Sequence, residues 1–322
     1  MILVCGEALV DLVPATGPVP GTGLIPRAAA VARPGGSPAN VAVGLGRLGV
    51  AVALLTRLST DHNGELIRAH LEQSHVDLSL AVRTPDPATV ATVTLDPAGD
   101  AAYTFGIAGG ADDGWCLADL PAELPAGAPL FVSGALALAI PAMAATVTAL
   151  LARERGHRLL ALDPNPRPAL TPDRATLLST LDEWLALADL VKVSEEDLAW
   201  TFPGQSPAEV ARRWRAAGPS LVVVTRGADG VYALGPAGPV ELPAPPVELV
   251  DTVGAGDAFT AGLLAGLDRS GSLNPDSLAR IGPADLTTAL RFAGRVAAAT
   301  CARPGADPPW AADLPPEVLD QR

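Results

Sequence analysis

Asp251-Thr-Val-Gly254-Ala-Gly256-Asp257-Ala-Phe-Thr260 sets an anion-binding turn, a helix start and a carboxylate in adjacent positions. Glycine lacks the Cβ that restricts backbone torsions, so two glycines here let successive amide N–H groups converge on one point. The run Ala258 to Leu267 has the composition of a helix. Its free N-terminal amides and positive dipole end add to the same anion site. Asp257 stands at the mouth of that helix. A carboxylate there is commonly an N-cap, but a cap has no need of Gly-x-Gly, and the combination suits phosphoryl transfer.

Outward from this stretch, short β-type runs alternate with helical patterns: Ile2 to Cys5, Val50 to Leu55, Leu130 to Val132, Arg158 to Leu162, Leu190 to Val193 and Leu221 to Thr225. Such alternation predicts an α/β fold, with a mostly parallel central sheet and helices on both faces. Two segments break the rhythm. Residues 10–33 carry glycine and proline without helical period, and residues 89–107 read as a β-hairpin turning at Asp96-Pro-Ala-Gly-Asp100. Together they predict a small β lid over the C-terminal edge of the sheet, where open α/β proteins place their ligands. The expected organisation is a single unit over 1–322 with that lid, whose apolar hairpin edge could pair with a second copy as a homodimer. The Pro-rich stretches 236–246 and 304–316 read as a loop and a tail.

Composition excludes several classes. A chain of 322 residues, 49% of them hydrophobic, can bury a large core and is not of disordered composition. The net charge of −13 argues against nucleic acid as a partner. Lys192 is the only lysine, and no Gly-Lys-Ser/Thr occurs, so any nucleotide is held without a Walker A loop. Gly44-Leu-Gly46-Arg-Leu-Gly49 matches the dinucleotide fingerprint, but a helix start precedes it and a strand follows, the reverse of the required order. Gly49 therefore reads as a helix C-cap. Cys5, Cys116 and Cys301 are odd in number and far apart, as expected of reduced thiols. Neither they nor His62, His70, His75 and His157 show metal-ligand spacing, so no zinc site is expected. The Ala- and Leu-rich residues 136–152 are interrupted by Pro141, Thr146 and Thr148 and read as a helix after a strand, not as a membrane span. No basic segment opens the chain, and Glu7 and Asp11 interrupt its first apolar run, so a cytoplasmic location is expected.

Four further segments carry polar groups at strand ends. Gly6-Glu-Ala-Leu-Val-Asp11 places Asp11 at or just past the end of the first strand, where a carboxylate can take two sugar hydroxyls or cap a turn. Gly35-Gly36-Ser-Pro-Ala-Asn40 lets a ligand approach the backbone and offers the donor and acceptor of Asn40, or is only a Gly-rich turn before a Pro-started helix. Asp163-Pro-Asn165-Pro-Arg167 stiffens three polar side chains with proline, which lowers the entropy lost on binding. Thr225-Arg-Gly227-Ala-Asp-Gly230 could cradle nucleotide phosphates or ribose, or form a hairpin turn.

In combination these segments resemble the ribokinase-like, or PfkB, family of carbohydrate kinases over almost the whole chain. Asp251-Thr-Val-Gly-Ala-Gly-Asp257-Ala-Phe matches the family's C-terminal signature, and Gly35-Gly36-Ser-Pro-Ala-Asn40-Val-Ala its N-terminal one. The resemblance implies a sugar kinase using ATP with Mg2+, and K+ as a candidate monovalent cation. It implies Asp257 as general base on the acceptor hydroxyl, with the Gly254, Ala255 and Gly256 amides as anion hole. Asp11, Gly35, Gly36 and Asn40 would bind the sugar, with Tyr103, Phe105, Asn165 and Arg167 on the same side. Thr225, Gly227, Gly230 and Gly294 would line the nucleotide site, with Lys192 and Ser194 near its phosphates. Asp197 would reach Mg2+ through water, and Asp251, the Val253 carbonyl and the loop around Gly305 would hold the monovalent cation.

Within the family, the Asp163 to Arg167 run and the Tyr103-Thr-Phe105 hairpin followed by Gly110-Ala-Asp112 look most like fructokinases and 2-keto-3-deoxygluconate kinases. The implied reaction is fructose to fructose 6-phosphate. The alternatives are the keto-deoxy acid, whose carboxylate Arg167 would meet, another sugar or nucleoside, and a non-catalytic sugar sensor. The chain departs from the family pattern at three places. Ser194-Glu-Glu-Asp197 stands where members usually carry Asn-x-x-Glu, Gly106 and Ile107 where a lid arginine or tyrosine often follows, and Gly294 where an asparagine often lies beside adenine.

Overall fold

Ile2-Leu-Val-Cys5 forms β1, and all four residues are buried: Ile2 and Val4 in one hydrophobic cluster, Leu3 and Cys5 in another. A strand covered on both faces belongs inside a parallel sheet. In the computed structural model, which describes residues 1–14, 30–95, 101–171 and 173–315, β1 lies parallel to two neighbours, β4 (Val52–Leu55) and β10 (Leu130–Ser133). Beyond β4 comes β6 (Val76–Asp77), and beyond β10 come β11 (Leu160–Asp163), β12 (Leu190–Ser194) and β13 (Leu221–Thr225), all parallel. The antiparallel strands β14 (Val231–Gly235) and β15 (Gly238–Leu242) complete a nine-stranded sheet.

The cluster around Ile2 and Val4 is closed by α1 (Ser37–Arg47), α2 (His62–Gln73), α8 (Ala255–Arg269), α9 (Pro275–Leu278) and α10 (Pro283–Cys301). On the other face, around Leu3 and Cys5, lie α3 (Ala135–Ala139), α4 (Pro141–Glu154), α5 (Arg174–Leu187), α6 (Glu195–Thr201) and α7 (Pro207–Ala217). Helices on both faces are what the alternating pattern predicted. The Gly44-Leu-Gly46 segment lies inside α1, where a Cβ at Gly44 would come within 2.7 Å of Ala261 Cβ in α8. Its glycines serve helix packing, and Gly49 follows the helix with φ +78, as a C-terminal glycine should. Among the described residues no helix is long and apolar enough to cross a membrane.

At the C-terminal end of β1 the chain turns at Gly6 into a second, four-stranded sheet of order β3 (Ala30–Gly35), β2 (Leu9–Pro14), β8 (Val90–Leu95) and β9 (Ala101–Gly106). A short pair, β5 (Arg57–Ser59) with β7 (Val82–Thr84), lies apart from it. Two expectations are corrected. Asp11 does not end the first strand: it lies within β2, opposite Arg33 of β3. Residues 236–246 are not all loop, because Gly238–Leu242 forms β15. Pro239 is tolerated there because an edge strand leaves one side of its backbone unpaired. The expected hairpin turn Asp96 to Asp100 lies outside the described residues.

Candidate active site

The phosphate-type turn is built by one backbone torsion. Gly254 is the N-cap of α8 with φ 76 and ψ 0, a left-handed conformation, and an added Cβ would lie 2.6 Å from Ala306 Cβ. The cap uses no side chain; Ala255 N donates to Thr252 O at 3.2 Å, and among the described residues the Gly254 and Gly256 amides stay open. Asp257 is consequently not a cap but the third residue of the helix. Its Oδ1 accepts a hydrogen bond from Ser37 Oγ at 2.7 Å, and its Oδ2 accepts one from Asn40 Nδ2 at 2.9 Å. Both donors belong to the first turn of α1. Ser133 Oγ at the end of β10 donates in turn to Ser37 Oγ at 3.1 Å. Burial raises the Asp257 pKa, while the hydrogen bonds from Asn40 and Ser37 and the Lys192 charge pull it down.

Of the residues expected on the sugar side, Asn40 bonds to this carboxylate and Asp11 feels its charge. Gly36 caps α1 with φ 100. At Gly35 a Cβ would collide with the Asp11 carboxylate, so glycine is what lets β3 pass that side chain. Burial pushes Asp11 up to about 6, against the pull of Arg167 and with a smaller push from Asp257. Arg167 follows β11 and Asn165, which holds φ 40 between two prolines. Among the described residues the Arg167 guanidinium has no carboxylate within 4.0 Å, yet its charge is felt by Glu7, Asp11 and Asp197. Phe105 of β9 packs against the cluster of Leu3 and Cys5, and the Tyr103 side chain lies outside what is described.

The residues expected on the nucleotide side come from the next strand ends. Lys192 of β12 is buried and donates to Asp163 Oδ2 at 2.8 Å. Its Nζ lies 3.4 Å from where a Gly256 Cβ would stand, which places the cation directly beneath the start of α8. Opposing effects act on Lys192: burial disfavours its charge, but Asp163 first, then Asp197 and Asp257, favour it, and the pKa is raised. Ser194 caps α6 by accepting from Asp197 N at 3.0 Å. The Asp197 carboxyl is raised by burial, partly offset by Ser194. Thr225 ends β13, and Gly227 follows it with φ 53. Gly230 and Gly294 both flank the Leu242 to Pro245 segment: a Cβ at Gly230 would strike Leu242 O, and one at Gly294 would lie 3.4 Å from the Pro245 ring. Asp251 ties two loops together, accepting from Val253 N at 3.0 Å and from Gly305 N at 2.7 Å.

Two participants, Ser37 and Glu7, carried no role at the sequence level, and Asp163 reads there as a recognition side chain rather than as the partner of Lys192. Ser37 and Glu7 stood inside quoted segments, but nothing in their spacing shows that they meet Asp257. The signal for Asp163 was stronger, since a chain's only lysine inside a buried strand needs a carboxylate near it.

A family model described as pfkB family carbohydrate kinase matches residues 1–313. The chain belongs to that family: it is an ATP-dependent carbohydrate kinase, a phosphotransferase with an alcohol group as acceptor. A fructokinase of Klebsiella pneumoniae is 39% identical over 284 residues, 88% of this chain and 88% of that protein. Among solved structures, fructokinase with bound ATP from Xylella fastidiosa superposes with a TM-score of 0.83 at 27% identity, covering 99% of this chain and 96% of that one. A double mutant of fructokinase from Vibrio cholerae O395, in fructose-, ADP- and potassium-bound form, gives 0.79 at 29% identity, covering 95% and 93%.

Proposed function

We propose that this kinase transfers the γ-phosphoryl group of ATP to a hydroxymethyl group of a ketose, fructose to fructose 6-phosphate, with Asp257 as general base. The observation that carries the reading is the Asp257 carboxylate itself: it is the third residue of α8, beside the Gly254, Ala255 and Gly256 turn whose Gly254 and Gly256 amides are open among the described residues, and is aimed by Ser37 and Asn40. An aspartate whose pKa is raised is a stronger proton acceptor than a solvated one. In this reading Asp257 takes the proton of the acceptor hydroxyl as its oxygen bonds to the γ-phosphorus and the bond to the ADP oxygen breaks. The α8 amides and Lys192 stabilise the charge on the equatorial oxygens. Asp11, Asn40 and the backbone at Gly35 and Gly36 hold the sugar, with the four-stranded sheet as its lid. Thr225, Gly227, Gly230 and Gly294 line the nucleotide.

The donor set fits Mg2+ held mainly by phosphate and water. Asp163 Oδ1 is buried without a partner, Asp197 is near it, and among the described residues no cluster of three or more His, Cys, Asp or Glu could hold a metal unaided. Asp197 and Asp163 would hold Mg2+ through water, and the ion would supply charge neutralisation at the phosphates. The Asp251 link between the Val253 turn and Gly305 preorganises the two loops for K+ or another monovalent cation. The similarity to fructokinases supports fructose, and β9, at one end of the four-stranded sheet among the described residues, offers a route to a homodimer.

An ADP-release assay across a sugar panel tests the assignment, with fructose as the expected best substrate. Arg167, unpaired among the described residues, favours one second reading, an acidic sugar such as 2-keto-3-deoxygluconate. Under it Arg167→Met abolishes most activity, whereas with fructose the same change is mild. Binding without turnover on every sugar would leave a sensor.

A further inference from the structure

Beneath the acceptor side of the cleft lie two acids that the proposed reaction does not use. Glu7 is 2% exposed and Asp112 is fully buried. Glu7 Oε2 and both carboxyl oxygens of Asp112 have no hydrogen-bond partner among the described residues. Thr89 and Trp115 stand beside Asp112 and help its charged form, but their polar atoms are outside hydrogen-bonding geometry. The other oxygen of Glu7 does have a partner: Oε1 accepts from Ser37 N at 3.3 Å. Ser37 is the residue whose hydroxyl donates to Asp257 Oδ1. A Cβ at Gly36 would come within 3.0 Å of Glu7 O, so Glu7 is packed against the start of α1 as well as bonded to it. A hydrogen-bonded path therefore runs from Glu7 through Ser37 to Asp257, and the Asp112 charge acts on Glu7 at its far end.

We propose that Glu7 is a positioning residue for Asp257, acting through Ser37, and that Asp112 is the second half of the same device. The inference rests on reading Asp257 as the base. Two buried carboxyls without cations of their own do not both ionise readily. The groups facing Glu7 are Asp112 from the segment after β9, Arg167 from the loop after β11, Asp257 of α8 and Cys5 on its own strand end. Arg57 is the charge that acts on Asp112. Burial first, then Asp112, pushes Glu7 up to about 8, with Arg167 pulling the other way. Burial likewise pushes Asp112 up to about 7. Below these values the pair is neutral, and Ser37 is held without a second charge beside Asp257. As pH rises through them the carboxyls ionise, and a like charge grows next to the base and the phosphates.

The test is the pH profile of kcat and KM with sugar and ATP for the full chain and three variants. Wild type is expected to lose kcat on the alkaline side. Glu7→Gln keeps the acceptor for Ser37 N and cannot ionise, so its kcat near neutral pH should stay within about twofold while the alkaline decline flattens. Glu7→Ala removes the contact and should lower kcat by roughly tenfold with KM for ATP little changed, as expected of a displaced catalytic group. Asp112→Asn removes the charge that raises Glu7, so the decline should move to lower pH, opposite to the effect of Glu7→Gln. A packing role would not shift the two profiles in opposite directions. The proposal is overturned if Glu7→Gln keeps the wild-type decline, or if it is as damaging near neutral pH as Glu7→Ala. Should Glu7→Ala fail to fold, the other two variants decide. Should wild type turn over no sugar, the reading of Asp257 fails, and thermal unfolding then decides the pair: between about pH 6.5 and 8 the midpoint of wild type should fall faster than that of Glu7→Gln, and equal slopes over that range overturn it.

Discussion

Lys192 and Asp163 are paired at 2.8 Å with side chains only 7% and 2% exposed. Removing one member of such a pair strands the other charge, so Lys192→Met should cost about 3–5 kcal/mol of stability, read by urea unfolding. Asp257→Ala should behave differently. Turnover is expected to fall by roughly 10² to 10⁴ with the fold retained, measured by steady-state kinetics beside circular dichroism. Asp257 and Asn40 were singled out in the sequence because the two glycine-rich runs occur together, although each alone also reads as a cap or a turn, and the structure brings their side chains to 2.9 Å. Ser37 was not: its bond to Asp257 spans 220 residues, and such a contact exists only once the start of α1 and the start of α8 are brought together. The Lys192–Asp163 pair, separated by 29 residues, likewise depends on β11 and β12 lying side by side.

The two glycines of the α8 start make a clean contrast. Gly254 has φ 76 and would collide with Ala306, whereas Gly256 is helical and its nearest neighbour is Lys192 Nζ at 3.4 Å. Gly254→Ala should therefore destabilise by about 1–2 kcal/mol from the left-handed torsion alone, with activity lost as the amides turn away. Gly256→Ala should match or exceed wild-type stability by up to about 1 kcal/mol, since alanine is the better helix former. Differential scanning calorimetry and the ADP-release assay together separate the two. Among the elements, the buried parallel strands were legible because apolar runs of four or five residues bounded by turns have few other uses. β15 was hidden by Pro239, which argues against a central strand but not against an edge. β2 falls mostly within residues 10–33, which the sequence assigned to a β lid without bounding its strands, because Leu9–Pro14 follows β1 closely, past the turn at Gly6.

At the level of the whole molecule, buried acids set the response to pH. Glu7 and Asp112 are raised to about 8 and about 7, so between the ordinary carboxyl range and these values the folded state holds protons that the unfolded chain releases. Stability must then fall as pH rises through that range. Burial lowers the pKa of His70, which has the opposite effect only below its ordinary value. Between about pH 6.5 and 8 the melting temperature should decline, and the double variant Glu7→Gln with Asp112→Asn should remove most of the slope. The overall architecture was more legible than the site, because alternation of strand and helix is a property of neighbours in sequence, whereas the acid pair under the cleft is assembled from segments after β1 and after β9. The lone lysine has one more consequence. A lysine-specific endoprotease has a single target in this chain, inside β12 and 5% exposed, so scission at that bond reports opening of the sheet's interior rather than fraying at its margins.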